Sequence, residues 1–295
     1  MFRGTMTALA TPFRDGRVDE AALRALVVRQ LEKGIHGLVA CGTTGEAAAM
    51  SLEERLQVVR LVKEVAAGRV PVIAGSGGNN TAVTVETTRR LGELGVDGVL
   101  VVTPFYVKPT QAGLLEHFAA VAEVGVPVVA YNVPGRTGVS LSADSVAALA
   151  RLPNLVALKE ATGDMRFAAQ LRRLVPGDFS LLSGDDFTYL PFLALGGSGC
   201  ISVVSNVDPG RMAQVYDRFA AGDLAEARAL FLELLPLAEA LFLESNPIPV
   251  KAALGMLGLF GPEIRLPLTP LAASNRPRLQ EVLDALGLLP DGEKS

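Results

Sequence analysis

A closed α/β barrel of eight strand–helix units, the (β/α)8 or TIM-barrel class, is the fold that three features of this sequence predict. Eight short apolar runs rich in β-branched residues recur at a steady spacing, and a helical pattern follows each one. The runs lack clean period-two alternation, as strands do when helices bury both faces of a parallel sheet. The regular spacing leaves no place for the reversal of a doubly wound open sheet, which is the competing architecture. No GxGxxG follows the first run, so the dinucleotide-binding version of that sheet has no support.

The elements follow in order. Strands are predicted at 4–12 (GTMTALATP), 37–42, 71–77 and 97–104, then at 127–134, 155–163, 179–186 and 199–206. The first helix, 19–34, opens on an acidic cap and closes on Gly34. The second, 51–67, opens on Ser51 with Glu54 three residues on, a capping box, and Leu52, Leu56, Val59 and Val62 share one face. Helical patterns at 81–94, 110–124, 142–151, 164–174, 186–195 and 209–221 complete the barrel, with Gly95 and Gly125 at left-handed caps. Beyond 221 the strands stop. A leucine-rich stretch at 223–244, broken by Pro236, leads to helices at 246–260 and 271–288. The chain is therefore divided into a barrel, 1–221, and a C-terminal helical extension, 222–295.

Composition narrows the function. Apolar residues make up 49% of the 295 and charged residues 20%, a balance that excludes disordered, collagen-like and disulfide-knot chains. A net charge of -4 argues against a nucleic-acid partner. The two cysteines, Cys41 and Cys200, have no partners at metal-ligand spacing and point to a reduced, cytoplasmic setting. The mean hydropathy of +0.36 is spread over short segments, so no membrane span is expected, and MFRGTMTALATPF is broken by proline too soon for a signal peptide.

Barrel enzymes place their chemistry at the C-terminal ends of the strands. There the sixth run, LVALKE, carries Lys159, one of only six lysines. An ammonium inside a barrel is costly unless it is paired or gives up its proton, and the neutral amine is the form that attacks a ketone. Lys159 is thus either an iminium-forming nucleophile or the structural partner of Glu160 or Glu46. Tyr131, one strand back, is either a proton shuttle linked to Thr43 or Thr44 or a space-filling phenol. The turn Gly42-Thr43-Thr44-Gly45 is either a small carboxylate nest or merely a turn, and Arg136 is either a planar fork of donors for a carboxylate or one surface arginine among 21. Asp185 and Asp186 fit either a general-acid pair or an acidic helix start. His36 and His117 are isolated, so no metal site is expected, and Cys41 reads as core packing. GSGGNN (75–80) has the composition of a phosphate loop without its GK[ST] ending.

GTTGE (42–46), TPFY (103–106), YNVPGRTG (131–138), KEATGD (159–164), LSGDD (182–186) and NPIPVK (246–251) occur in this order along the chain. Together they resemble the dihydrodipicolinate synthase family of class I, Schiff-base-forming pyruvate aldolases. That resemblance implies condensation of pyruvate with L-aspartate-4-semialdehyde, with no cofactor beyond the covalent iminium on Lys159. It implies a proton relay of Tyr131, Thr43 and Tyr106, the last supplied by a neighbouring subunit. It further implies that Thr44 orients the pyruvate part, that Arg136 receives the aldehyde's carboxylate, that Gly184 and Ile201 frame the pocket, and that the assembly is a homotetramer. Sibling lyases of N-acetylneuraminate or 2-keto-3-deoxy sugar acids share the lysine and the tyrosine; Arg136 in PGRTG separates them. A non-catalytic barrel serving as a binding or structural protein is the reading from another class.

Feedback-inhibited members resemble one another in a polar, histidine-bearing stretch after GTTGE and an acid on the next helix. Here those places hold Ala47, Leu52, Arg55 and Val83, while Asn79 is retained and Phe105 stands where a tyrosine is common. Weak or absent inhibition by L-lysine is the expectation.

Overall fold

Eight parallel strands close on themselves in the computed structural model, which describes residues 2–290. β1 (Gly4–Ala8) leads into a small antiparallel hairpin, β2 (Phe13–Arg14) and β3 (Arg17–Val18), and then α1 (Glu20–Glu32). The alternation runs on through β4 (Gly37–Ala40), α2 (Leu52–Ala66), β5 (Val72–Gly75), α3 (Thr81–Gly92), β6 (Gly98–Val102) and α4 (Gln111–Ala122). After β7 (Val128–Asn132) come a single turn, α5 (Pro134–Thr137), and α6 (Ala143–Leu149). β8 (Leu155–Glu160), α7 (Met165–Leu174), β9 (Ser180–Ser183), α8 (Tyr189–Ala194), β10 (Gly199–Ser202) and α9 (Pro209–Ala220) complete the circuit. β1 pairs with both β4 and β10, which shuts the barrel. Three further helices follow: α10 (Leu224–Leu241), α11 (Ile248–Met256) and α12 (Arg276–Ala285).

Alternation along the strands is present but hidden in sequence, because both faces are apolar. Met6, Val39, Ile73, Val129, Leu182 and Ile201 fill the barrel interior. Their neighbours Leu38, Val72, Val128, Leu158 and Leu181 pack outward into the shell of helices. The capping box at Ser51 forms as the sequence predicts.

Several boundaries differ from expectation. The first strand ends at Ala8, and the hairpin at 13–18 is too short to leave a period in the sequence. The helix expected at 186–195 begins as a 3-10 turn over 186–188 before α8. Pro236 does not break α10. It lies on the exposed side, and the Leu232 carbonyl that loses an amide partner belongs to an exposed residue, where a missing bond costs less than in the core. α11 and α12 are shorter than the stretches expected, and residue 1 and residues 291–295, the end of the expected extension, lie outside the described residues.

Candidate active site

β7 and β8 run side by side in a register that sets Tyr131 opposite Lys159 and Asn132 opposite Glu160. Tyr131 belongs to the interior cluster, and the Lys159 ammonium nitrogen lies 4.3 Å from the centre of its ring. Each is only 6% exposed. The acids that could make Lys159 a structural ion pair are engaged elsewhere. Glu160 accepts from Asn132 Nδ2 at 2.8 Å and from the Thr162 amide at 2.6 Å, and burial pushes its carboxyl up. Glu46 accepts from Lys251 Nζ at 2.5 Å. Among the described residues no ion pair reaches Lys159. Gly184 closes in behind it, since a Cβ there would stand 2.8 Å from Lys159 Cε. Ile201, paired with Met6 inside the barrel, is 1% exposed.

A cavity of about 630 Å³ opens above Tyr131. Thr43, Tyr131 and Arg136 line it, together with Glu46, Val133 and Asn246. Lys159, Thr44, Gly184 and Ile201 do not; Lys159 joins the cavity through the Tyr131 ring. Thr44 is buried, and its hydroxyl accepts from Asn246 Nδ2 at 2.9 Å. Arg136 rises from the exposed turn α5 and donates to the Asn246 carbonyl at 3.2 Å. Tyr106 stands apart. It is 87% exposed on a loop with Phe105 and Val107, in a left-handed conformation (φ 73°), and does not line the cavity of its own chain.

The chain matches the model of the Dihydrodipicolinate synthetase family over residues 1–286. It belongs to that family. The 4-hydroxy-tetrahydrodipicolinate synthase of Nitratidesulfovibrio vulgaris (strain DP4) is 50% identical over 290 residues, 98% of this chain and 99% of the relative. The crystal structure of dihydrodipicolinate synthase from Thermotoga maritima superposes with a TM-score of 0.96 at 42% identity, covering 98% and 100% of the two chains. That of the chloride-inhibited enzyme from Acinetobacter baumannii, complexed with pyruvate, gives 0.96 at 44% identity over 98% and 100%.

In this dihydrodipicolinate synthetase family member the other polar strand-end groups are structural. Asp185 caps the 3-10 turn through the Phe187 amide, and Asp186 accepts from the Val203 and Val204 amides, tying the end of β9 to that of β10. Burial pushes both carboxyls up. The Cys41 thiol is pushed up to about 12 by burial, which suits a core residue. Gly75 and Gly77 of GSGGNN serve close approach: a Cβ on Gly75 would stand 2.0 Å from the Cys41 carbonyl oxygen and one on Gly77 2.4 Å from the Val102 nitrogen, while Asn80 caps α3. His36 bridges the Thr5 amide and Asp217, while His117 meets the Thr81 hydroxyl and is held down by burial. Among the described residues no group of three or more such side chains gathers at metal-binding distance, and no helix is long and apolar enough to cross a membrane. Asn246 and the Glu46–Lys251 pair escaped the sequence reading as site residues. Lys251 carried a local signal, a lysine in the apolar run IPVKAAL, but nothing near it pointed to Glu46 or to the place of Asn246.

Proposed function

We propose that the chain condenses pyruvate with L-aspartate-4-semialdehyde to give 4-hydroxy-tetrahydrodipicolinate, through an iminium on Lys159. The observation that carries this is Lys159 itself, inward on β8, with no acid among the described residues paired to it and the Tyr131 ring against its amine. The amine adds to the pyruvate ketone and water leaves, giving a cationic iminium. The cation acidifies the adjacent methyl, and loss of one proton gives an enamine, a carbon nucleophile made at neutral pH. The enamine carbon attacks the aldehyde, whose oxygen takes a proton. The substrate's own amine then adds to the iminium carbon, the ring closes, and Lys159 leaves as the free amine. Tyr131 and Thr43 move the protons, with Tyr106 completing the relay from a neighbouring subunit of a homotetramer. Thr44 orients the pyruvate part, and Gly184 and Ile201 frame it. Arg136, exposed on the cavity rim, supports capture of the aldehyde's carboxylate. The same reading treats 222–295 as an extension of the 1–221 barrel. It sets the reaction in the cytoplasm, which the two unbonded, buried cysteines support.

The acceptor is tested by steady-state rates with L-aspartate-4-semialdehyde and with N-acetylmannosamine. The first is expected to be favoured in kcat/KM by at least about a hundredfold, and Arg136→Ala to cost about 10–100-fold with it. Preference for the sugar would move the chain to the sialic acid lyases. L-Lysine is expected to inhibit weakly, with half-inhibition above about 1 mM. The cavity positions where acceptors for its two ammonium groups would stand are Ala47, Arg55 and Phe105, and Glu46, the one lining acid among the described residues, already holds Lys251.

A further inference from the structure

The GTTGE turn is built of strained, crowded backbone whose side-chain anchors come from elsewhere in the chain. Glu46 is left-handed at φ 54°, and a Cβ on Gly45 would stand 3.0 Å from the Leu9 carbonyl oxygen. Within the turn the Glu46 amide donates to the Thr43 carbonyl at 3.1 Å. The Ala47 amide reaches back to the Gly42 carbonyl at 3.4 Å and the Ala49 amide to the Glu46 carbonyl at 2.9 Å. The side-chain anchors come from farther away. Thr11, after β1, donates to the Gly45 carbonyl at 2.8 Å. The others belong to the helical extension: Asn246 Nδ2 on the Thr44 hydroxyl, Lys251 Nζ on Glu46 Oε1, and the Arg265 amide on Glu46 Oε2 at 3.0 Å. The Asn246 carbonyl also receives Arg136.

Glu46 and Lys251 have side chains 1% exposed, and Lys251 Nζ lies 4.4 Å from the centre of the Phe13 ring. Such a pair adds little net stability, because desolvation offsets its attraction and apolar replacements of like volume are often tolerated. What it can supply is geometry. We infer that Glu46–Lys251 is a positioning pair through which α11 sets the Thr43–Thr44 turn for pyruvate. Lys251 acts through Glu46 and never touches substrate. The inference rests on the proposed activity, because it assigns that turn to the pyruvate-derived part.

Removing Lys251 alone would strand a buried carboxylate and test folding. The informative variant is therefore Glu46→Gln/Lys251→Met, which deletes both charges while leaving an acceptor for the Arg265 amide. Pyruvate binding is read from the concentration that half-saturates borohydride trapping on Lys159, alongside the melting temperature. The double variant is expected to melt within about 5 °C of the parent, since a small destabilisation shifts the midpoint by that order. It should require at least tenfold more pyruvate, and Lys251→Arg, which retains a cationic donor, should recover most of that loss. A folded double variant with half-saturation within twofold of the parent overturns the inference. Should the double variant not fold, Glu46→Asp decides: it keeps both charges but draws the turn one methylene towards Lys251, so a folded variant with pyruvate half-saturation raised at least threefold supports the inference, and parental half-saturation overturns it. Absence of any adduct in the parent would instead sink the proposed activity.

Discussion

Two lysines lie buried at the catalytic end of this barrel, and they are held in opposite ways. Lys251, on a helix of the extension, is locked to the Glu46 carboxylate. Lys159, on a barrel strand, faces a tyrosine ring at 4.3 Å and shares an ion pair with no acid among the described residues. Burial pulls the Lys251 ammonium down, but its nitrogen is tied in place by Glu46, whereas a lysine with no acid partner is free to approach a carbonyl. Burial alone therefore does not mark a nucleophile; the partner does.

The substitution that breaks this contrast most is Lys159→Met. It should abolish the pyruvate adduct and lower kcat/KM at least about a thousandfold, since the covalent route is lost. Retained turnover would place the chemistry elsewhere. Tyr131→Phe comes next, with kcat expected to fall by about 10²–10⁴ while the adduct still forms, because the phenol serves proton transfer. A variant that turns over like the parent would leave Tyr131 as a wall of the cavity. The smallest effect sharpens the comparison with a third, half-open ion pair. Glu54 binds the Arg265 guanidinium, which holds its carboxyl down at about 2. Its folded value is depressed, so its stabilisation is present above the unfolded value near 4.3 and is lost as pH falls towards about 2. The melting temperature of Glu54→Gln should lie no more than about 4 °C below the parent at pH 7, and this gap should close by pH 2. A gap that persists at pH 2 would assign the loss to packing.

The barrel was legible because eight strand ends each carry a turn and an apolar run. The hairpin at 13–18 was not, because strands of two residues leave no period to detect. Lys159 stood out as a lysine inside LVALKE. Lys251 sits in IPVKAAL with the same local signal, yet its partner lies 205 residues away, and no local pattern reports so distant an acid. The register that sets Tyr131 against Lys159 was within reach, since neighbouring strands of a parallel barrel align their ends. Asn246 was not, because its site is made by a loop beyond the last strand reaching back over the second turn.

The most direct test of the contrast is to treat the protein with pyruvate and borohydride and map the modified peptide. A gain of about 72 Da, pyruvate added with loss of water and uptake of two hydrogens, is expected on Lys159 and not on Lys251. A folded protein that gains no mass, or gains it on Lys251, would contradict the account.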